Sequence, residues 1–365
     1  MLEDPNKIPE ENKTPQNDPI TNLPASDFSS AATPIQPDVP TGNTWQQNRL
    51  DLSKVQDITA GIRRELAKVI IGQSESIDLL IASLLAGGHV LLEGVPGIAK
   101  TLLARMLAQT LKADFSRIQF TPDLMPTDVV GTTVFNMQSS EFTFSPGPVF
   151  SNIVLIDEIN RAPAKTQAAL FEVMEEAQVT VDGKTYRMQF PFFVVATQNP
   201  IEQEGTYKLP EAQLDRFLFK INVQYPDLEE EKAILYRFRS DFKQTVQEEV
   251  TGVCSKEDLR ECQELVERVH IKDELLDYIA GIIHGTRNNG DLFLGASPRA
   301  SLAIMKSSKA IAAMNGRDFV TPDDIQYVAY PVLNHRVILT PEREMEGYDQ
   351  QFVVNDIVKK IEIPR

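Results

Sequence analysis

The sequence predicts an α/β protein in which a parallel sheet is covered by helices on both faces and is followed by a smaller, all-helical domain. Between residues 72 and 225, short runs that are apolar throughout alternate with stretches of helical periodicity, a pattern typical of parallel sheets buried on both sides. After Pro226 the strand-like runs disappear and helical periodicity alone remains. The chain has 365 residues, of which 42% are hydrophobic, so it is long enough for two compact domains.

The chain is predicted to have three parts. Residues 1–50 are rich in Pro, Asn, Thr, Ser and Asp and contain no regularly spaced apolar residues, so we expect a disordered tail. From Leu52 onward apolar residues recur every three or four positions, which marks the first helix of the ordered region. We expect the α/β core at residues 51–225 and the helical domain at residues 226–365, with Pro226 as a hinge.

Short apolar runs and longer periodic stretches predict the individual elements. The strands of the sheet are expected at residues 89–93, 117–121, 152–157, 191–197 and 218–223. The helices of the second domain are expected at residues 228–240, 256–269, 272–287, 298–315 and 321–332. Some of these helices begin with a Ser or Thr, and two have a proline in the first turn, as helix amino ends commonly do.

Charge and composition disfavour several classes of function. The chain carries 36 Lys and Arg residues against 52 Asp and Glu residues, a net charge of −16, which opposes nonspecific binding to nucleic acids and anionic lipid surfaces. The first residues lack the apolar core of a signal peptide, and no uncharged apolar run approaches the ~20 residues of a membrane span. The two cysteines cannot form a disulfide framework, so we expect reduced thiols in a cytoplasmic protein.

A loop with the features of a phosphate-binding site follows the first predicted strand. Residues 94–101 read GVPGIAKT and precede a helical stretch, which gives the strand–loop–helix order that such a loop requires. The glycines let backbone N–H groups converge on an anion, Lys100 supplies a charge for the β and γ phosphates, and Thr101 can ligate Mg²⁺. Ala99 replaces the second glycine of the general pattern, so the loop alone leaves an ordinary Gly/Pro-rich connection open.

Two carboxylates end the third predicted strand. Asp157 and Glu158 are expected at the carboxyl edge of the sheet, where ligands of open α/β folds bind. Asp157 suits a Mg²⁺ site, and Glu158 suits the orientation or deprotonation of an attacking water. The alternative is a solvated acidic strand end before a helix, and the phosphate loop earlier in the chain makes it the weaker interpretation.

Three further polar residues stand next to predicted elements. Asn199 follows the fourth strand and is a candidate for holding the lytic water against the γ phosphate. Arg216 precedes the fifth strand, and Arg299 begins a helix of the second domain. Guanidinium groups stabilise charge on a transferring phosphoryl group, although an isolated arginine is ordinarily a surface charge.

The order of these segments resembles the MoxR family of AAA+ ATPases. The resemblance extends over residues 53–360 and rests on residues 69–73 (VIIGQ), 119–128 (QFTPDLMPTD), 157–163 (DEINRAP) and 211–217 (EAQLDRF), together with the loop. These four sequence segments are far more specific to the family than the loop itself. An alanine at position 99 is also similar to MoxR proteins, which favours the nucleotide-binding interpretation of the loop.

The resemblance implies a role for each candidate site residue. Lys100 and Thr101 would belong to Walker A, Asp157 and Glu158 to Walker B, and Thr101 and Asp157 would hold Mg²⁺. Asn199 would be the first sensor, Arg216 an arginine finger that reaches a neighbouring subunit of a ring, usually a hexamer, and Arg299 the second sensor. The residues expected to bind ATP are Ile71, Gly72, Gly94, Val95, Pro96, Gly97, Ile98, Ala99, Lys100, Thr101 and Leu102.

Two segments are similar to substrate-facing features of such rings. Residues 179–186 have Asp182-Gly183 at the centre of a predicted tight hairpin, which resembles the hairpin before the first sensor. Residues 125–148 contain alternating apolar positions, among them Phe135 and Phe142, and resemble the insert in the second helix of the core. The alternative is that both are sheet decorations without client contact.

The resemblance implies a ring-forming Mg²⁺-ATPase with chaperone-like activity in the remodelling or maturation of protein complexes. Family members frequently work with proteins that carry a von Willebrand factor A domain, and such a partner would here be a separate chain. A nucleic-acid-remodelling motor is an alternative that the net charge opposes. A metal-chelatase motor subunit, with a similar ATPase core, is a second alternative.

Overall fold

The computed structural model describes residues 49–138, 140–200, 207, 209–239 and 250–364. Residues 1–48 of the predicted tail lie outside these ranges. The helices are α1 (Ser53–Ala67), α2 (Ser74–Leu85), α3 (Lys100–Thr110), α4 (Pro126–Val130), α5 (Ala164–Glu176), α6 (Glu211–Leu214), α7 (Leu228–Phe238), α8 (Lys256–Glu267), α9 (Asp273–Arg287), α10 (Pro298–Met314), α11 (Pro322–Leu333), α12 (Pro341–Met345) and α13 (Gln350–Lys360). The strands are β1 (His89–Glu93), β2 (Phe115–Gln119), β3 (Gly131–Asn136), β4 (Glu141–Pro146), β5 (Ile153–Asp157), β6 (Gln178–Val181), β7 (Lys184–Arg187), β8 (Phe193–Gln198), β9 (Phe217–Asn222), β10 (Leu292–Leu294) and β11 (Ile338–Leu339).

The central sheet has five strands in the order β2-β5-β8-β1-β9, and every neighbouring pair is parallel. The predicted parallel sheet is therefore confirmed. Strand β2 begins two residues earlier than predicted, because Phe115 and Ser116 already pair with Ile153 and Val154 of β5. The parallel arrangement brings the carboxyl ends of β1, β5 and β8 to one edge of the sheet, where ligands of open α/β folds bind.

Successive residues of the central strands face opposite sides of the sheet, and each side has its own hydrophobic core. Val90 and Leu92 of β1 pack into a core shared with residues of α1, α2 and α3. Leu91, between them, packs into a second core with Leu170 and Phe171 of α5. Because both faces are buried, the strands are apolar throughout, which is the pattern that predicted them.

The C-terminal region consists mainly of helices α8 to α13, as expected. One difference is a short antiparallel pair of strands, β10 and β11, which the sequence pattern did not predict because the strands have only three and two residues. Ile304 and Ile311 of α10 share a hydrophobic core with Ile62 and Leu66 of α1. The proposed boundary after residue 225 stays a prediction.

Two β-hairpins contact each other. Strands β3 and β4 form the first hairpin, and β6 and β7 form the second, with its turn at Asp182-Gly183. Asp182 has φ 49° and Gly183 φ 76°, the positive values that a tight hairpin turn requires. The Phe144 and Tyr186 rings stack with centroids 4.2 Å apart, and Thr133 Oγ1 donates to Asp182 Oδ2 at 2.5 Å.

Within the ranges that the structure describes, no helix combines the length and the apolar character that crossing a bilayer requires.

Candidate active site

The loop between β1 and α3 turns sharply through two left-handed residues. Gly97 has φ 87° and Ala99 has φ 61°. For a residue with a Cβ, the left-handed region costs roughly 1–2 kcal/mol, which explains why a glycine is common at the position of Ala99. The methyl group of Ala99 is half-buried and packs against the core of α1, α2 and α3. This packing offsets part of the strain, so that alanine is compatible with the loop.

Lys100 is the first residue of α3, and its side chain bends back over the loop. Its Nζ donates to the carbonyl oxygen of Gly94 and to that of Val95 at 3.1 Å. The ammonium group therefore lies inside the concave side of the loop, at the amino end of a helix of 11 residues. A helix amino end and an ammonium group together favour an anion at this position.

Asp157 ends β5 in a nearly enclosed position, with 9% of its surface exposed. Thr197 Oγ1 of β8 donates to Asp157 Oδ1 at 2.6 Å, and Thr101 Oγ1 of α3 donates to Asp157 Oδ2 at 3.3 Å. Arg117 of β2 donates to the same Oδ2 from Nη2 at 2.7 Å. The carboxylate is thus held by residues from three other elements.

Glu158 follows in a left-handed conformation, with φ 57°. Its backbone N–H donates to Thr197 Oγ1 at 3.0 Å, so one hydroxyl orients both carboxylate residues. Its side chain accepts from Gln119 Nε2 at 2.6 Å, and Arg161 Nε lies 3.0 Å from the same oxygen, Oε2. These contacts fix the carboxylate of Glu158 at the carboxyl edge of the sheet.

A cleft of about 390 Å³ joins most of the predicted site residues. Asn199, which is 6% exposed, contributes to its wall beside Thr197. The full lining is Pro96, Gly97, Ile98, Ala99, Lys100, Thr101, Leu102, Asp157, Glu158, Thr197 and Asn199. The structure thus brings together the loop, both carboxylates and the candidate sensor asparagine. Thr197, Gln119 and Arg117 were not predicted.

An apolar cavity of about 400 Å³ adjoins the cleft on the other side of the loop. Ile71 contributes to its wall, together with Ile234 and Phe238 of α7. Gly72, Gly94 and Val95 line neither cavity. Gly72 has φ 73°, and a Cβ there would lie 2.5 Å from the Glu230 carboxylate. A Cβ on Gly94 would lie 2.7 Å from the carbonyl oxygen of Val223, so both positions require the smallest residue.

Arg216 and Arg299 lie outside the cleft. Both guanidinium groups pair with the carboxylate of Glu175, in the last turn of α5, and Arg216 Nη1 also donates to Phe171 O at 2.8 Å. Phe217, the residue after Arg216, pairs with His89, the first residue of β1, whereas the loop follows the last residue of that strand. At ~3.3 Å per residue, a strand length of roughly 16 Å separates these levels.

His89 lies partly buried at the start of β1, at the end of the strand away from the loop. Its Nε2 is 3.1 Å from Met174 O, and its Nδ1 accepts from the backbone N–H of Val194 at 3.0 Å. This arrangement requires the neutral imidazole, because a protonated Nδ1 could not accept a hydrogen bond. Burial lowers the pKa of His89 to about 4. The residue therefore serves the packing of the sheet.

Comparison with known proteins decides the family. The model of the ATPase family associated with various cellular activities matches residues 89–219, and that of the AAA lid domain matches residues 284–357. The chain is 44% identical over 310 residues to the chaperone MoxR1 of Mycobacterium tuberculosis, an alignment that covers 82% of this chain and 81% of MoxR1. The chain belongs to the MoxR family of AAA+ ATPases.

Further similarities extend over the same part of this MoxR-family chain. The uncharacterised protein YeaC of Bacillus subtilis is 48% identical over 297 residues, which cover 81% of this chain and 92% of YeaC. The crystal structure of a candidate ATPase from Cytophaga hutchinsonii superimposes with a TM-score of 0.78 at 43% identity, covering 86% of this chain and 96% of the other. The AAA match of the MoxR-family chain contains the loop, both carboxylates, Asn199 and Arg216.

Proposed function

We propose that this MoxR-family protein binds Mg-ATP in the cleft beside residues 94–101, hydrolyses it, and uses the energy for chaperone-like remodelling or maturation of protein complexes. One observation carries the proposal: a single cleft joins Lys100 and Thr101 with Asp157, Glu158 and Asn199. A phosphate-binding helix amino end next to a carboxylate pair is the arrangement that phosphoryl transfer to water requires.

The donor set of the cleft fits Mg²⁺ and a triphosphate. The Thr101 hydroxyl and the Asp157 carboxylate are the hard oxygen ligands that Mg²⁺ prefers, and their oxygens lie 3.3 Å apart. When bound, Mg²⁺ neutralises charge on the β and γ phosphates. The Lys100 ammonium would leave the carbonyl oxygens of Gly94 and Val95 to contact the same phosphates. Ile71 lines the adjoining apolar cavity, which suits the base of the nucleotide.

The roles at the reacting end follow from how the side chains are held. Glu158 is proposed to orient or deprotonate the attacking water, with Gln119 and Arg161 holding its carboxylate. Asn199 is proposed to hold that water against the γ phosphate. The hydroxyl of Thr197 keeps Asp157 and Glu158 in a fixed relation, since it bonds to a side-chain oxygen of one and to the backbone N–H of the other.

Arg216 and Arg299 are proposed to act on the ATP of a neighbouring copy in a ring, for which a hexamer is the expected form. Arg216 stands about a strand length from the cleft of its own chain, farther than an arginine side chain extends. Arg299 contacts the same Glu175 carboxylate, so the two positive groups lie together on one part of the surface. An arginine supplied to the transferring phosphoryl group accelerates the reaction by about 10³ to 10⁵.

The protein client is proposed to contact the first hairpin. Phe135 and Phe142 pair across β3 and β4 with ring centroids 5.0 Å apart, yet they are 47% and 72% exposed. Met137, next to them, is 87% exposed. Large exposed apolar side chains grouped in this way mark interaction surfaces. The client is proposed to be a separate chain, with a von Willebrand factor A domain protein as one candidate, in the cytoplasm.

The test compares two variants of the cleft. We expect Lys100→Ala to abolish ATP binding, and Glu158→Gln to keep ATP binding while release of phosphate stops. Equilibrium binding of a fluorescent ATP analogue and a phosphate-release assay distinguish these results. Normal steady-state hydrolysis by both variants would overturn the proposal. Stimulation of hydrolysis by DNA or RNA, with a steep salt dependence, would favour the nucleic-acid motor instead.

A further inference from the structure

Arg336 is a buried arginine that follows α11 and donates hydrogen bonds to the backbone on both sides of Arg216. It is 7% exposed. Its Nε donates to Asp215 Oδ1 at 2.7 Å, and its Nη2 donates to the carbonyl oxygens of Asp215 and Phe217 at 3.0 and 2.6 Å. Its Nη1 donates to the carbonyl oxygens of Leu218 and Val332. All five N–H donors of the guanidinium group are therefore used, four of them by residues 215–218 and one by Val332 of α11.

Asp215 connects this turn to the helix that carries Arg299. Its second carboxylate oxygen, Oδ2, accepts from Ser297 Oγ at 2.9 Å. Ser297 immediately precedes α10 and occupies the cap position, but its hydroxyl makes no cap bond to its own helix. Serine hydroxyls at this position ordinarily bond to the first turn of the helix. The hydroxyl of Ser297 is instead committed to a residue distant in sequence.

We propose that Arg336, Asp215 and Ser297 form a partly buried link that fixes the position of Arg216 relative to Arg299. One carboxylate oxygen of Asp215 accepts from Arg336, which bonds to the backbone on both sides of Arg216. The other oxygen accepts from Ser297, at the start of the helix that carries Arg299. The three are positioning residues, since they act through the two arginines. The inference rests on the proposed function, in which both guanidinium groups reach one phosphate group of a neighbouring copy.

The link holds its residues more firmly than the surface ion pair between Arg299 and Glu175 does. The side chain of Arg299 is 50% exposed and that of Glu175 is 37% exposed, so solvent weakens that ion pair. The pair of Arg336 with Asp215 is far better enclosed, with side-chain exposures of 3% and 17%. Because it is enclosed and fully hydrogen-bonded, the contact between Arg336 and Asp215 is the more rigid of the two. A displacement of about 1 Å at a reacting centre can reduce a rate by roughly 10².

The test measures ATP hydrolysis by the full-length Ser297→Ala and Arg336→Gln variants. We expect kcat to fall by about fivefold for Ser297→Ala, from the loss of one hydrogen bond, and by roughly 10² for Arg336→Gln. The KM for ATP should stay unchanged, because the nucleotide cleft of the same chain is intact. Mixing either variant with Lys100→Ala should restore activity, since the Lys100→Ala chains supply correctly placed arginines.

Two matched serines control for loss of stability alone. Ser255 caps α8 through a side-chain bond to the backbone N–H of Asp258, and Ser301 lies within α10. We expect Ser255→Ala to lower the melting temperature and Ser301→Ala to leave it unchanged, both with normal kcat. If Arg336→Gln does not fold, Ser297→Ala carries the test, because it removes the hydrogen bond to Asp215 Oδ2 and leaves Arg336 paired with Asp215.

Two failures are distinguishable. If Arg216→Ala shows no loss of activity, or no rescue by Lys100→Ala, the proposed use of arginines between copies is wrong. If Arg216→Ala loses activity and is rescued while Ser297→Ala and Arg336→Gln keep the wild-type kcat, the link is overturned and the proposed function stands. A fall in kcat that mixing does not restore would also overturn the link, because it would show damage to the cleft of the same chain.

Discussion

Arg216 and Arg299 contact the same carboxylate, that of Glu175, although one precedes a strand of the sheet and the other begins a helix of the C-terminal region. Both lie near the end of α5, at the level where β1 begins, while Lys100 and Asp157 lie where the strands end. A single chain therefore has the cleft at one edge of its sheet and a pair of cationic groups at the other. This separation favours a site completed by two copies.

If Arg216 and Arg299 act on the ATP of a neighbouring copy as proposed, Glu175 competes with that phosphate for both guanidinium groups. We expect Glu175→Gln to shift the protein concentration of half-maximal ATPase activity downward by up to about fivefold, because an exposed ion pair contributes about 0–1 kcal/mol. Titration of the protein in a phosphate-release assay measures the shift. Glu172→Gln is the control, since Glu172 is exposed on the same helix one turn earlier. An upward shift for Glu175→Gln would contradict this role.

We expect Thr197 to affect Mg²⁺ binding as well as the rate of ATP hydrolysis. Thr197→Val keeps the shape of the side chain but leaves Asp157 Oδ1 without its hydrogen bond at 2.6 Å. Loss of a residue that orients a metal ligand weakens metal affinity or activity by about 10- to 100-fold, and we expect the Mg²⁺ dependence of hydrolysis to move by that amount.

Thr166 provides the matched control for that substitution. It is buried, and its hydroxyl donates to Leu124 O at 2.7 Å, away from the cleft. We expect Thr166→Val to lower stability without changing the Mg²⁺ concentration at half-maximal rate. An equal Mg²⁺ shift in both variants would show that Thr197 has no specific role.

The first hairpin is expected to act on the client and not on ATP. We expect the double variant Phe135→Ala, Phe142→Ala to keep its basal ATPase activity, because both side chains are exposed and neither lines the cleft. Binding of reduced, unfolded lactalbumin to the ATP-loaded Glu158→Gln protein should weaken at least tenfold when these substitutions are added. Fluorescence anisotropy measures it, with Phe352→Ala as an exposed control elsewhere. Unchanged binding would leave the hairpin without the proposed role.

His89 gives the stability a pH dependence of defined sign. Its pKa falls from 6.5 to about 4 on burial, so the unfolded chain binds the proton more readily between these values. The free energy of unfolding should therefore decrease as pH falls from about 6.5 to about 4, by up to about 1.4 kcal/mol per pH unit from this group. Urea unfolding at pH 7, 6 and 5 should show a weaker decrease for His89→Gln than for the wild type. Equal slopes would refute it.

The parts of the site that depend on local sequence were predictable. The loop of residues 94–101 lies between a strand and a helix, and Asp157 and Glu158 end a strand, so each could be placed without the tertiary structure. Gln119 reaches Glu158 only because β2 is the neighbour of β5 in the sheet. Sequence periodicity does not specify that order.

The ion pairs at the opposite edge of the sheet could not be predicted from the sequence for the same reason, because they depend on how distant elements pack. Glu175 lies on α5, Arg216 precedes β9 and Arg299 begins α10, so their meeting depends on how three distant elements pack. Ser297 immediately precedes the helix that was predicted at residues 298–315, but its hydroxyl bonds to Asp215. A cap pattern in the sequence indicates where a helix begins. It does not indicate which acceptor the hydroxyl of the cap residue bonds to when that hydroxyl makes no cap bond.

Hydrolysis by a mixture of two inactive variants tests the central claim most directly. Arg216→Ala keeps the cleft and lacks the arginine, whereas Lys100→Ala keeps the arginine and lacks the phosphate contact. We expect Arg216→Ala alone to lose about 10³ in kcat with unchanged ATP affinity, and an equimolar mixture to recover a substantial part of the wild-type rate. A mixture no more active than the sum of its two components would contradict the claim that neighbouring copies share each ATP site.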